Sequence, residues 1–565
     1  MKGVINISSK ERLLFIFLTF MYLFLYSFYL PQDIMDIDST QYAEITREMV
    51  ENQDYFNIRD NGRKYLDKPI MTFWILALSF KIFGINNFAY RFPAYVMAFF
   101  SLIAIFQLAL LLYKNERKAW LSMLFYLCSP ALFTMLTSPI IDIYLTTFIL
   151  LVFLFYYYGL LKNEKFFYLM YFFIGIGFIT KGPISLFLPL ISIGGNIIIS
   201  RNWEILKKLK LFYGIIIILL PVLFWCYLLY KDFGLFGPYF FLYLQSFGRF
   251  FHKIYDTGWN PFYFYYTFVY SILPTAIPFL IVLYYKFKEL KNKYSIIGIK
   301  EILNDFYKKD IVLYLWVFLV LILLSFSKFR LPQYIFWLVP GYCIIAGNWL
   351  EDYLKIKKVK YSFYILPTII LIILLILPFY TGENFNILFY LLLLMVIMIL
   401  FLFYQNFEYS VIYTFLSFGL LYCYIVSSLY PLLIKYQPAS KIAGIIEKYE
   451  EEQKFSDKVL YTYGIPFSYR SYAFYVKRLT RPYILKKNQF IEELIDKKRK
   501  LILIEGMFLE SFNNEVKYIL PKEGNIKILA KFPYYKVSKP SIHFFNKNKR
   551  EKMLKYVYLL ELKID

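Results

Sequence analysis

The chain has 565 residues, of which 59% are hydrophobic and 22% aromatic, and it carries a formal charge of +24. Apolar runs of membrane-spanning length recur from residue 13 to about residue 434, which excludes a string of soluble domains. The positive charge does not mark a nucleic-acid binder: no base-reading module accompanies it, and Lys and Arg collect in the cytoplasmic loops of membrane proteins.

Lys2, Lys10 and Arg12 precede the first apolar run, 13–30. No small-residue cleavage site follows that run, so it is expected to remain an uncleaved span. The loop 31–68 holds nine Asp and Glu against five Lys and Arg. Within it Tyr42, Ile45 and Met49 recur at helical spacing opposite Glu44, Arg47 and Glu48. This predicts a short amphipathic helix in the interface plane. The stretch 69–83 is apolar but short, and predicts an interfacial or re-entrant helix. Further spans are expected near 92–113, 117–136, 141–161, 166–180, 183–200, 211–230, 262–285, 311–325, 331–350, 362–380, 386–404 and 410–434, about thirteen in all.

With the N-terminus cytoplasmic and 69–83 not crossing, the loops 114–118, 162–165, 201–210, 286–310 and 351–360 face the cytoplasm. The 286–310 loop alone has seven lysines. This is the positive-inside asymmetry. The cysteines Cys128, Cys226, Cys343 and Cys423 lie singly inside apolar runs and read as small hydrophobes. Beyond residue 434 the runs 458–464 and 500–506 read as strands and 489–498 as a helix. A polytopic α-helical membrane domain (1–434) therefore precedes a small soluble α/β domain (435–565), expected outside the cytoplasm. That domain carries 27 Lys and Arg against 15 Asp and Glu, a charge that suits anionic membrane lipids or is a generic basic surface.

The outer loops gather carboxylates and cations. Asp38 and Ser39 open the first loop's helix, as N-caps or, for Asp38, as a base or electrostatic anchor. Asp67 and Lys68 close that loop. Asp142 stands at the mouth of a span, where a carboxylate is costly unless it faces a polar cavity. Lys181, then Arg249, His252 and Lys253, then Ser325, Lys328, Arg330 and Tyr334 follow on later loops. Interfacial cations suit a phosphate whose lipid tail lies in the bilayer. Nearby carboxylates suit deprotonation of an attacking hydroxyl, or a divalent metal that does the same, with Asp38 and Asp67 as candidate ligands. The set points to group transfer from a lipid-linked phosphate donor.

The run DSTQYAEITREMVENQDYFNIRDNGRKYLDKPIMTFWILALSFKIFGINNFAYRFP (38–93) resembles the first periplasmic loop of bacterial aminoarabinose transferases and, more distantly, of protein O-mannosyltransferases. Both belong to the C-type glycosyltransferase superfamily; ITKGP and SKFRLPQYI resemble further family segments. The resemblance implies a sugar transferase of the bacterial inner membrane, using undecaprenyl phosphate as carrier, inverting the anomeric carbon, and acting on lipid A, a glycan or a protein at the periplasmic face. It implies Asp38 as the catalytic carboxylate with Asp142 beside it. Lys68, Lys181 and Arg249 would hold the donor phosphate, and Tyr334 lies in the loop that closes over it. Three positions depart from the pattern: Ser39 replaces a common acid, Asp67 shortens the usual Glu, and Ser246 stands where a metal-binding His can occur. They leave the metal and the donor sugar open. A transporter or flippase for a lipid-linked sugar is the alternative; it would place ionisable groups near the bilayer midplane. A non-catalytic scaffold would not need the outer carboxylates.

Overall fold

The computed structural model describes residues 4–248, 260–294, 311–383, 390, 393–394, 407–453, 459–465, 469–483, 499–519, 524–536 and 541–564. Five described helices are long and apolar enough to cross a membrane: Asn87–Tyr113, Ile141–Leu161, Leu211–Phe233, Lys357–Thr381 and Ser410–Lys435. Two bent pairs, Glu116–Leu127 with Pro130–Thr137 and Tyr263–Ser271 with Ala276–Glu289, raise the number to seven if each is one span. The bends fall at Pro130 and Pro274, where a missing N–H interrupts the helical ladder. The other expected spans fall on shorter helices, on Ser9–Ser27 or, for 386–404, largely outside the described residues.

Close helix contact comes from small residues. Gly347 lets Val339–Tyr353 approach Glu116–Leu127 until an added Cβ would lie 2.1 Å from Ser122 Oγ. At one end of the bundle, Arg12 pairs with Glu116 at 2.8 Å, and Arg117 with Glu11 at 2.6 Å and Glu351 at 3.5 Å. Connections assigned to one face by their charge thus meet at one end.

At the other end lies the 31–70 segment. Its helix, Asp38–Glu51, packs on Met71–Phe83 through Tyr42, Ile45 and Met49. Met71–Phe83 has 13 residues. It therefore rises about 20 Å, short of a bilayer core of about 30 Å. The expectation that Asp38–Glu51 turns a polar face to the interface is corrected. Glu44, Arg47 and Glu48 are 0%, 3% and 4% exposed, because the C-terminal domain covers that face. Arg47 donates to Glu44 at 2.8 Å through Nε and also pairs with Glu51, and Gly62 N donates to Glu48 at 2.8 Å. Pairing offsets the burial of Arg47 and Glu44, while Glu48 is held by a backbone N–H.

The strands are β1 (Arg59–Asp60), β2 (Arg63–Lys64), β3 (Val459–Tyr463), β4 (Leu479–Tyr483), β5 (Arg499–Glu505), β6 (Gly524–Tyr534) and β7 (Lys555–Ile564). The first two form a ribbon, and the others a sheet in the order β4-β3-β5-β7-β6, parallel from β4 to β5 and antiparallel beyond. The expected strands at 458–464 and 500–506 are β3 and β5. The expected helix 489–498 lies outside the described residues. β3 and β5 are apolar on both faces because Ala439–Gln453 and Tyr469–Val476 cover one side and Leu509–Ile519 the other. The sheet domain docks on the first loop. Arg470 and Gln41 both donate to Asp60, Asn61 exchanges two hydrogen bonds with the Thr480 backbone, and Tyr475 OH accepts from Ile34 N at 2.7 Å. It therefore lies at the same end as the loop's carboxylates.

Candidate functional site

A cavity of about 390 Å³ opens where the first loop meets the helix ends. Its polar end is lined by Asp67, Lys68, Lys181, Gln245, Ser327, Tyr334 and Trp337. Its apolar side consists of Ile184, Phe187 and Ile191 from one helix and Val320, Leu323 and Leu324 from another. The volume falls within the range of small-molecule sites, about 300–1,000 Å³.

Two helix ends set the centre of this site. Asp142 is in the first turn of Ile141–Leu161, and Lys181 is the last residue of Phe166–Lys181. Each charge complements the dipole of its own helix. Gly182 follows with φ +98°, which lets the chain turn at once into Ile184–Pro189. Asp142 is 3% exposed and forms an ion pair with Lys181. The same carboxylate oxygen accepts from Trp337 Nε1 at 2.9 Å.

Tyr334 and Trp337 lie on the 3-10 helix Pro332–Leu338, started by Pro332 at its first position. Residues three apart on such a helix eclipse one another, and the two rings stack with centroids 5.3 Å apart. Both rings face the Lys181 ammonium, at 5.1 Å for Tyr334 and 4.9 Å for Trp337. Asp67 accepts from Gln245 Nε2 at 3.0 Å, joining the first loop to the turn of helix at 240–248.

Asp38 is exposed, and the helix N-cap is Ile37, without a side-chain cap bond. Neither Asp38 nor Ser39 is therefore the cap that the sequence allowed. Ser39 Oγ donates instead to Pro139 O at 3.0 Å. Tyr42 lies near both proposed carboxylates. Burial, then Asp38 and, more weakly, Asp142 push its phenol well above the ordinary range, so it stays neutral between them.

The structure thus brings Asp67, Lys68, Lys181 and Tyr334 to one cavity, with Asp142 touching Lys181 and Asp38 nearby but not lining it. Lys328 is exposed and Arg330 buried, and neither lines the cavity. Arg249, His252 and Lys253 lie outside the described residues. Among the described residues no three His, Cys, Asp or Glu side chains cluster as metal ligands, and the Asp67 carboxylate is engaged by Gln245. Trp337 and Gln245 had not been anticipated. The spacing of Trp337 three residues after Tyr334 was the available signal, legible only once the segment is known to be a 3-10 helix.

The model of the dolichyl-phosphate-mannose-protein mannosyltransferase family matches residues 67–227. An uncharacterized protein of Aquifex aeolicus is 25% identical over 446 residues, 78% of this chain and 81% of that protein. An undecaprenyl phosphate-alpha-4-amino-4-deoxy-L-arabinose arabinosyl transferase of Serratia proteamaculans is 28% identical over 327 residues. That match covers 56% of this chain and 55% of the transferase, so it spans just over half of the relative's length. ArnT from Cupriavidus metallidurans, solved with undecaprenyl phosphate bound, superposes with a TM-score of 0.73 at 16% identity, over 98% of each chain.

This chain and ArnT share one fold, and residues 67–227 match the mannosyltransferase family model. The family model begins at Asp67 and ends before Arg249, so Lys68, Asp142 and Lys181 fall inside it while Asp38 and Tyr334 do not. The superposition on ArnT covers 98% of the chain, and so takes in the sheet domain as well as the helical bundle.

Proposed function

We propose that this chain is a membrane glycosyltransferase that moves a sugar from a polyprenyl phosphate, undecaprenyl phosphate in bacteria, to a lipid, glycan or protein acceptor. The observation that carries this reading is the cavity, whose lining combines the cations Lys68 and Lys181 with apolar side chains from two helices. Such a site suits a phosphate headgroup with a hydrocarbon tail. Lys68 and Lys181, with Tyr334 and Arg249, hold the donor phosphate. The transfer inverts the anomeric carbon. The acceptor oxygen forms its bond there as the bond to the phosphate oxygen breaks, and the electron pair leaves on polyprenyl phosphate, whose charge the lysines stabilise. Asp38 takes the acceptor's proton. Its exposure in the first turn of Asp38–Glu51 leaves it open to an acceptor arriving from water or the headgroup layer. Asp142 is the second carboxylate of the site.

The carboxylates, the cavity and the sheet domain share one end of the molecule, opposite the end where Arg12 and Arg117 pair with Glu116, Glu11 and Glu351. The charge asymmetry supports placing that end in the periplasm and the bundle (1–434) in the inner membrane, with 435–565 as the periplasmic domain. The test is mass spectrometry of lipids, glycans and proteins from cells with and without the chain, paired with binding of undecaprenyl phosphate to the purified protein. Unchanged modification profiles together with no binding would overturn the proposal.

A further inference from the structure

We propose that Trp337 is a positioning residue that tunes donor binding through Asp142, by sharing that carboxylate with Lys181. The inference rests on the cavity being the donor-phosphate site. A single Asp142 oxygen takes both the Lys181 ammonium and the Trp337 indole N–H, the latter at 2.9 Å. Asp142 is 3% exposed, so water does not replace a lost partner. Lys181 also lines the cavity and is capped by the faces of Tyr334 and Trp337.

A phosphate entering the cavity competes with Asp142 for Lys181. The more the ammonium turns to the phosphate, the less it neutralises the buried carboxylate. The Trp337 N–H remains on that carboxylate and supports it during the exchange. Without this hydrogen bond, Asp142 depends on Lys181 alone and holds it more firmly, so the phosphate binds less well. The ring of Trp337 has a separate role, as one wall of the lysine's cage. Tyr334 reaches Lys181 with its ring, whereas Trp337 reaches both Lys181 with its ring and Asp142 with its N–H.

The full-length protein in detergent is titrated with undecaprenyl phosphate. Trp337→Phe keeps an aromatic ring at the position and removes the indole N–H together with part of the ring volume, a packing change that the Asp142→Asn background controls for. It should weaken binding about tenfold or more, the usual effect of losing a hydrogen bond to a charged group. Asp142→Asn removes the competing charge and should bind at least as tightly as the wild type. In the Asp142→Asn background, Trp337→Phe should change affinity by less than about twofold. An equal loss in both backgrounds would mean that Trp337 acts through packing, which overturns the proposal. A tenfold loss in Asp142→Asn alone would also overturn it, and that arm stands whether or not Trp337→Phe folds. If the wild type does not bind undecaprenyl phosphate, the donor-site reading itself fails and the inference with it.

Discussion

Replacing Arg470 with Met should loosen the sheet domain from the first loop by about 3 kcal/mol. Arg470 donates to Asp60 through Nε at 3.0 Å and Nη2 at 2.7 Å, and Gln41 Nε2 donates to the same oxygen at 2.7 Å. The Asp60 and Arg470 side chains are 9% and 16% exposed. Removing one member of a buried ion pair costs about 3–5 kcal/mol, because the other charge stays buried. Partial exposure of Arg470 and the surviving Gln41 bond put the effect at the lower end of that range. The Asn61–Thr480 bonds and the Phe80–Phe474 ring contact persist, so the domain should still dock. A loss of about 3 kcal/mol raises the open population roughly 100-fold. Hydrogen exchange on the full chain in detergent reads this as faster amide exchange in Asp38–Glu51 and Tyr469–Val476, with Ile141–Leu161 unchanged. Adding Asp60→Asn should recover part of the loss, since no uncompensated charge then remains. Exchange within twofold of wild type in the single variant would refute the reasoning.

Asp38→Asn should abolish sugar transfer while undecaprenyl phosphate affinity stays within about twofold; wild-type turnover would remove Asp38 from the chemistry. Cysteines introduced at the exposed Asn52 and Lys328 should react with an impermeant reagent on intact cells, and one at exposed Lys162 only after permeabilisation; the reverse pattern would invert the topology. Burial pushes the Asp36 carboxyl up to about 7, against hydrogen bonds from Ser471 and Thr40 and the charge of Arg470. The docked state therefore holds a proton that the undocked chain, with an ordinary Asp near 3.9, releases. Docking should be tightest below about pH 4, weaken as the pH rises towards 7, and level off above it. Asp36→Asn should flatten that slope in the same exchange experiment, and an unchanged slope would assign the dependence to another group.

What the sequence made legible was local or compositional. The spans at 92–113 and 141–161 are long, predominantly apolar runs, and they recur as Asn87–Tyr113 and Ile141–Leu161. The strands β3 and β5 are short apolar runs between polar turns. Lys68 and Lys181 could be nominated because each lies beside a proline or glycine next to an apolar run, and Tyr334 because SKFRLPQYI resembles a family segment. The bent spans were less legible, because a hydropathy window passes over Pro274 without registering a 110° change of direction. The polar face of Asp38–Glu51 misled for a related reason. Glu44, Arg47 and Glu48 read as solvated, but the 59–64 ribbon and a domain more than 400 residues later in the chain cover that helix.

The centre of the site is long-range in the same way. Trp337 lies 195 residues from Asp142, and Lys181 lies 39 residues from it. Neither separation has a periodicity that a single sequence could reveal. Each partner has an ordinary role of its own: an acid at a helix start, a lysine at a helix end and an aromatic residue at an interface. Their convergence on one carboxylate oxygen follows from where the helices Ile141–Leu161 and Phe166–Lys181 and the 3-10 turn at 332–338 begin and end. The bundle packing therefore fixes the charge balance at the cavity mouth. A substitution that shifts the 332–338 turn by a fraction of a residue would move Trp337 Nε1 away from Asp142 and alter donor binding without touching any charged residue.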